Sequence, residues 1–250
     1  MLQRSPLFFF ALLILLSGCA ANGQFDSGKA VMIGSSALQA TMLDEESVKQ
    51  AASLSARELD EQHQVAAENN PYSIRLNNIT RNLRNFDGLN LNYKVYLSKD
   101  VNAFAMADGT VRVYSALMDL MPDDQVLAVI GHEIGHVKLR HSYHQMKEVL
   151  LTNVAFEAAS SVGGTIGALT SSQLGALAHT AVTARFSQSD ELESDAYAVR
   201  FLKRLGKDPY AMKRSIETLQ KGSSGGGGFL SSHPSNQQRI DQIQAEINRL

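Results

Sequence analysis

The stretch Asp123-Asp124-Gln125-Val126-Leu127-Ala128-Val129-Ile130-Gly131-His132-Glu133-Ile134-Gly135-His136 reads as a single helix ending in an HExxH pattern. On a helix, positions i and i+4 lie one turn apart and about 40° offset, so both imidazoles project from one face. Two such nitrogens can share one Zn²⁺ at roughly 2.0–2.1 Å. Glu133 sits about 100° round the same turn, within reach of a proton on a water at the metal. HExxH also arises by chance, so the reading needs a third ligand and a fitting context.

A third histidine is excluded first. In HExxHxxGxxH the required positions fall on Leu139 and Ser142. His141 lies five residues past His136, about 140° round a continuing helix, and reads as a residue behind the ligands or a structural one. His63, His144 and His179 read as solvent-facing or packed rings. The alternative is a carboxylate on a later helix. Glu191 to Leu202 has helical spacing that places Glu191, Asp195, Ala198 and Leu202 on one face and Glu193 opposite. Periodicity alone suits a solvated acidic face equally well. With HExxH upstream, Glu191 becomes the expected third ligand, leaving a position open for water. Asp195, one turn on, would hold a ligand histidine by its other N–H or stand near the reacting carbonyl.

The chain's 250 residues, 44% hydrophobic and 19% charged with net charge −2, suffice for one ordinary core. The near-neutral balance gives no reason to expect nucleic acid. Residues 1–18 read as a signal peptide, with Arg4 before the apolar run Leu7 to Leu16. That run is too short to span a bilayer unaided. Leu16-Ser17-Gly18-Cys19 resembles a bacterial lipobox, and Cys19 is the chain's single cysteine. Lipidation of Cys19 is therefore expected, with no intramolecular disulfide, and Ala20 after it resembles an outer-membrane address. Residues 19–36 read as a tether, and 37–250 as one domain.

Within that domain, a long helix is expected from Leu38 to Asn69, broken at Asn70-Pro71, and a second from Ser73 to Phe86, ended by Asp87-Gly88. Tyr93–Leu97, Ala103–Met106 and Thr110–Tyr114 read as a small sheet made largely of hairpins. The rest is helix and loop, giving an α+β class. Val149 to Phe186 reads as two short helices joined near Gly163-Gly164 beside the site, and its polar residues argue against a membrane hairpin.

His132 to His141 (HEIGHVKLRH), Glu191-x-x-Ser194-Asp195, Asn102-Ala103-Phe104-Ala105, and Ser232-His233-Pro234 with Arg239 together resemble the metallopeptidase family of the CAAX prenyl protease and HtpX, in its periplasmic branch. The resemblance covers roughly residues 70 to 250. It implies a mostly helical, gluzincin-like zincin domain whose small sheet lines the cleft with an edge strand. It further implies one Zn²⁺ on His132, His136 and Glu191, with Glu133 as the catalytic carboxylate and Asp195 assisting. Two departures stand out: Ser194 replaces the usual alanine, and Gln188 stands where relatives often carry arginine, which puts in doubt a salt bridge anchoring the Glu191 helix.

The expected activity is endopeptidic hydrolysis, with substrate extended along the edge strand Asn102, Ala103, Phe104 and Ala105. Phe104 itself reads as a core residue. Misfolded or unassembled envelope proteins are the expected substrates, with the outer membrane and other envelope quality-control proteases as further partners. His233 follows the glycine-rich run Gly222–Gly228 and precedes Pro234. A lone histidine there is ordinarily a surface residue, but relatives carry His-Pro near the metal. His233 is therefore a candidate fourth ligand and lid, or an oxyanion hydrogen-bond donor. Arg239 would anchor its segment. The competing readings are an assembly factor keeping zinc for structure, and a lipid-anchored scaffold without metal.

Overall fold

Two helices, a short hairpin and a three-stranded sheet come first in the chain, followed only by helices among the described residues. The computed structural model describes residues 44–152, 169–183, 185–222 and 228–250. The signal peptide, Cys19, the tether and the joint at Gly163-Gly164 lie outside them. Leu43–Leu250 forms one compact unit.

Helix α1 spans Glu45–Gln62, with Asp44 as N-cap accepting from the Ser47 N–H. It ends earlier than the expected Asn69, because Val65 bridges Tyr96 and the flanking Gln64 and Ala66 pair with the neighbouring strand. Those backbone bonds compete with the helix ladder and win. Helix α2 (Pro71–Thr80) starts on the Asn70 cap with Pro71 in its first turn, where a missing N–H costs nothing. It stops before the expected Phe86. Asp87 and Gly88, at φ 55 and 79, instead turn a hairpin between β1 (Asn85–Phe86) and β2 (Leu89–Asn90). An Asp-Gly pair with two positive φ values is the turn that matches strand twist.

The main sheet comprises β3 (Asn92–Tyr96), β4 (Ala103–Ala105) and β5 (Thr110–Tyr114) in the order β3-β5-β4. Only β4–β5 is a hairpin. β3 pairs with β5 in parallel, so the sheet is not made largely of hairpins as expected. Side chains alternate across it. Val95, Ala103, Ala105, Val111 and Val113 join one core with the later helices. Tyr96, Phe104, Met106 and Tyr114 join another with α1.

Helices α3 (Ser115–Leu120), α4 (Asp123–Lys138), α5 (His141–Thr152), α6 (Ser171–Thr183), α7 (Gln188–Arg204), α8 (Tyr210–Gly222), α9 (Phe229–Ser232) and α10 (Gln237–Asn248) follow. The chain leaves α4 through Arg140 at φ 69. A left-handed non-glycine residue costs about 1–3 kcal/mol. Its guanidinium, 2.6 Å from Glu45 and 4.4 Å from the Tyr143 ring centre, offsets part of that.

Candidate metal centre

α4 begins with Asp123 and Asp124 in its first turn, where carboxylates complement the helix dipole. It is buried along nearly its whole length, so His132 and His136 have no access to bulk water. α7 opens with a reciprocal capping box: Ser187 Oγ accepts from the Asp190 N–H, and an Asp190 carboxylate oxygen accepts from the Ser187 N–H. That box sets the register of α7 and presents Glu191 to α4 in the first turn. Glu191 is 2% exposed, whereas the Glu193 side chain is 57% exposed, as the expected register requires.

The two helices approach closely because α4 carries glycines on the facing side. A Cβ on Gly131 would stand 2.5 Å from Phe201 Cδ1, and one on Gly135 would stand 3.1 Å from Ser194 Cα. Gly131 and Gly135 are four apart, one residue before each ligand histidine. That spacing was legible in the sequence, but its role in bringing α7 to the histidines was not anticipated.

His136 Nε2 lies 3.0 Å from His132 Nε2 and 3.4 Å from Glu191 Oε1, and His132 Nε2 lies 3.6 Å from Glu191 Oε2. His233 Nδ1 is 3.3 Å from His132 Nε2 and 2.9 Å from Glu191 Oε1. Tetrahedral ligands about 2.0–2.1 Å from one ion stand about 3.3 Å from each other. These separations bracket that value, and one donor atom from each of the four residues lies within 4.8 Å of every other. Two imidazoles and a carboxylate, buried and converging, fit a divalent metal.

The surrounding contacts fix these groups. His132 Nδ1 stands 2.9 Å from Asp195 Oδ1, though not aligned as a hydrogen bond. The contact places Asp195 directly behind His132, where the first of the two roles expected of it would put it. Arg239, fully buried, donates to both Asp195 oxygens at 2.7 Å and touches Glu191 Oε2 at 2.6 Å. It also donates to the His233 and Pro234 carbonyls. The expectation that Arg239 anchors its segment holds, but its carboxylate partners were missed. Arg239, Ile243 and Glu246 form the buried stripe of α10. An arginine on such a stripe signals a buried counter-charge. Gln188 makes no ion pair, bonding Gln238 at 2.5 Å instead. The capping box and Arg239 hold the Glu191 helix.

Burial raises the Glu133 carboxyl above its usual range, against the opposing pull of His233 and His132. Burial also holds the His136 imidazole well below its ordinary value, leaving it neutral. For Glu191, burial is outweighed by His233 and His132, and the carboxyl stays well below the usual range. Asp195 is likewise lowered, burial there being overcome by Arg239. His233 is raised, burial yielding to Glu133 and Glu191.

Glu133 lies alongside the metal ligands, its Oε1 buried without a hydrogen-bond partner and 3.5 Å from His233 Nε2. The Ala105 N–H faces its carboxylate, and Ser142 Oγ donates to the Ala105 carbonyl at 3.1 Å. β4 is the edge of the sheet on the site's side. Asn102 Oδ1 accepts from the Ala103 N–H, and Phe104 is buried against Tyr96 and Tyr114, the core role expected for it. His63 stacks on Tyr96, while His144 and His179 are exposed. None of the three joins the ligand group. The expectation for His141 needs correction in one respect. α4 does not continue past it, and the break at Arg140 brings its Nδ1 to 3.2 Å from His136 Nδ1.

Fold and site together define a metallopeptidase: an HExxH helix, a glutamate from a second helix one turn before an aspartate, and an edge strand beside the catalytic carboxylate. The family model for Peptidase family M48 matches residues 75–247, and the chain belongs to that family. It is 40% identical to Metalloprotease LoiP of Escherichia coli (strain K12) over 247 residues, 98% of this chain and 97% of the relative. Against Metalloprotease YcaL of the same organism it is 38% identical over 237 residues, 93% and 92% of the two chains. The Beta-barrel assembly-enhancing protease of that strain is 30% identical over 162 residues, 60% of this chain and 33% of the relative.

Proposed function

We propose that the protein is a zinc endopeptidase that cleaves unfolded or misfolded envelope proteins, anchored to the outer membrane through a lipidated Cys19. The observation that carries the reading is Glu133: a buried carboxylate with one unpartnered oxygen beside a converging His₂Glu donor set. A site that used its metal only for structure would have no need of a base there. His132, His136 and Glu191 would hold the ion, and their nitrogen and oxygen donors suit zinc. Bound there, zinc supplies Lewis acidity toward a carbonyl and makes water more acidic.

Glu133 takes the proton from the attacking water and delivers it to the leaving amine, general acid–base work that its burial favours. Asp195 and Arg239 keep His132 and Glu191 in place throughout. The substrate would lie extended along β4, taking over the backbone groups of Ala103 and Ala105 that Asn102, Ser142 and Glu133 face in this structure, and would be recognised as a strand without regard to sequence. A cleft of about 380 Å³ beside Asn102 and Phe104, also lined by His63, His179 and Ser232, gives room for its side chains. Binding by backbone pairing suits unfolded chains, which expose backbone that native proteins have already paired. The names of the LoiP, YcaL and β-barrel-assembly relatives support protein substrates.

Glu133→Gln is expected to retain zinc at one equivalent while lowering cleavage of an unfolded protein by about 10²–10⁴-fold. Wild-type turnover in that variant would exclude this mechanism and return the structural-metal reading. Cys19→Ser is expected to leave the precursor uncut and to abolish incorporation of labelled fatty acid. Fatty-acid labelling equal to wild type would refute the lipid anchor without touching the catalytic reading.

A further inference from the structure

His141 is the first residue of α5, and the chain turns at Arg140 to bring its buried ring between α4 and α7. The ring meets that of His136 edge-on, at 5.2 Å between centres and 70° between planes. Its Nδ1 is 3.2 Å from His136 Nδ1 and 3.3 Å from Ser194 Oγ. Its Nε2 lies 3.5 Å from both Asp190 Oδ1 and Glu193 Oε2.

A neutral imidazole has one N–H and one lone pair, so each nitrogen's role dictates the other's. If His136 gives its Nε2 lone pair to a metal, its proton resides on Nδ1. That proton points at His141 Nδ1, which must then accept. The proton of His141 is thereby placed on Nε2, toward the two carboxylates of α7. His132 is oriented more simply, with Asp195 directly at its Nδ1. For His136, an imidazole stands between the ring and the acidic residues. The Ser194 hydroxyl shares the same lone pair of His141, and any competing donation weakens rather than reverses the arrangement.

We infer that His141 is a positioning residue. It accepts the Nδ1–H of His136 and fixes that ring in the tautomer and orientation that binds metal, its own orientation being set by Asp190 and Glu193. The inference rests on the reading of His136 as a ligand. Partners behind metal-bound histidines typically account for 10–100-fold in affinity.

The test measures zinc dissociation constants of the purified protein by competition with a chromophoric chelator, adding Zn²⁺ alone. It compares wild type with His141→Phe, His141→Asn and His136→Ala, and follows the metal-free fold by circular dichroism. His141→Phe keeps a ring but has no acceptor, and is expected to bind zinc about 10–100-fold more weakly. His141→Asn places an amide oxygen where Nδ1 stood and is expected to recover most of that loss. Phe binding like wild type, or Asn binding no better than Phe, would overturn the inference. If His136→Ala also bound like wild type, the ligand reading itself would be at fault. If only His136→Ala lost zinc, that reading would stand and this inference would fall. Nitrogen-15 spectra of histidine-labelled, zinc-loaded wild type decide the matter even if a variant fails to fold. The expected pattern has the proton on His141 Nε2 and on His136 Nδ1. A proton on His141 Nδ1 would refute the arrangement.

Discussion

At the residue scale, His233 has its two nitrogens on two different tasks. Nδ1 faces Glu191 Oε1 and His132 Nε2, while Nε2 faces Glu133. Its ring stacks on Phe229 at 4.4 Å and leans on Phe186 at 5.3 Å. The histidine thus stands between the ligand donors and Glu133, a position that the lid and the oxyanion role would each require; the lid is the role we propose. His233→Ala is expected to raise basal cleavage of an unfolded protein several-fold. A fall of about 10²–10³ would assign it to oxyanion stabilisation, the loss usual for such a donor. Equal rates would return it to a packed side chain. The two histidines were legible because i, i+4 spacing is local geometry, carried in five consecutive positions. The contact of Arg239 with Asp195 was not, because it joins residues 44 positions apart and only docking of α10 on α7 brings them together.

Between elements, the decisive contact is the crossing of α4 and α7. Phe201 is 1% exposed, so its ring has little freedom to withdraw from a methyl group at Gly131. Overpacking of this kind costs about 1–3 kcal/mol. Here it also moves a ligand, since pushing α7 outward carries Glu191 away from the histidines. Gly131→Ala is therefore expected to lose zinc affinity by more than it loses metal-free stability. Chelator competition and urea unfolding of the same preparation compare the two. Unchanged affinity with normal stability would show that the crossing has slack. Helix existence along this stretch followed from hydrophobic spacing, yet the strand connections did not. β3 and β5 pair directly and in parallel, with β4 between them only in sequence, an arrangement that alternating residues cannot specify because either neighbour would satisfy them. The Asp87-Gly88 turn did carry its own signal, which a helical reading of the preceding residues obscured.

At the scale of the whole molecule, the sheet lies between two apolar clusters of the described residues, and a partly buried charge network ties the α1 side to it. Asp60 of α1 accepts from Arg112 at 2.8 and 2.9 Å, from Lys94 at 2.7 Å and from Tyr96 at 2.8 Å. Arg112 is 2% exposed, so it depends on this partner. Burial works against the ionised carboxylate, but Arg112 and Lys94 prevail and Asp60 is held below the ordinary value. A carboxyl depressed in the folded state contributes stability above its unfolded pKa, about 3.9, and loses it as pH falls through the folded value. Because α1 covers the Tyr96, Phe104 and Tyr114 side of the sheet, the same network supports edge strand β4 from behind. Asp60→Asn leaves a buried guanidinium short of a counter-charge and is expected to cost about 3–5 kcal/mol near neutral pH. Below about pH 4 that difference should shrink, since the wild-type carboxyl is itself being neutralised while Arg112 remains charged. Urea unfolding of both metal-free proteins at pH 7 and pH 3 measures it. A penalty equal at the two pH values would mean that Asp60 acts through shape and hydrogen bonding, with its charge contributing nothing.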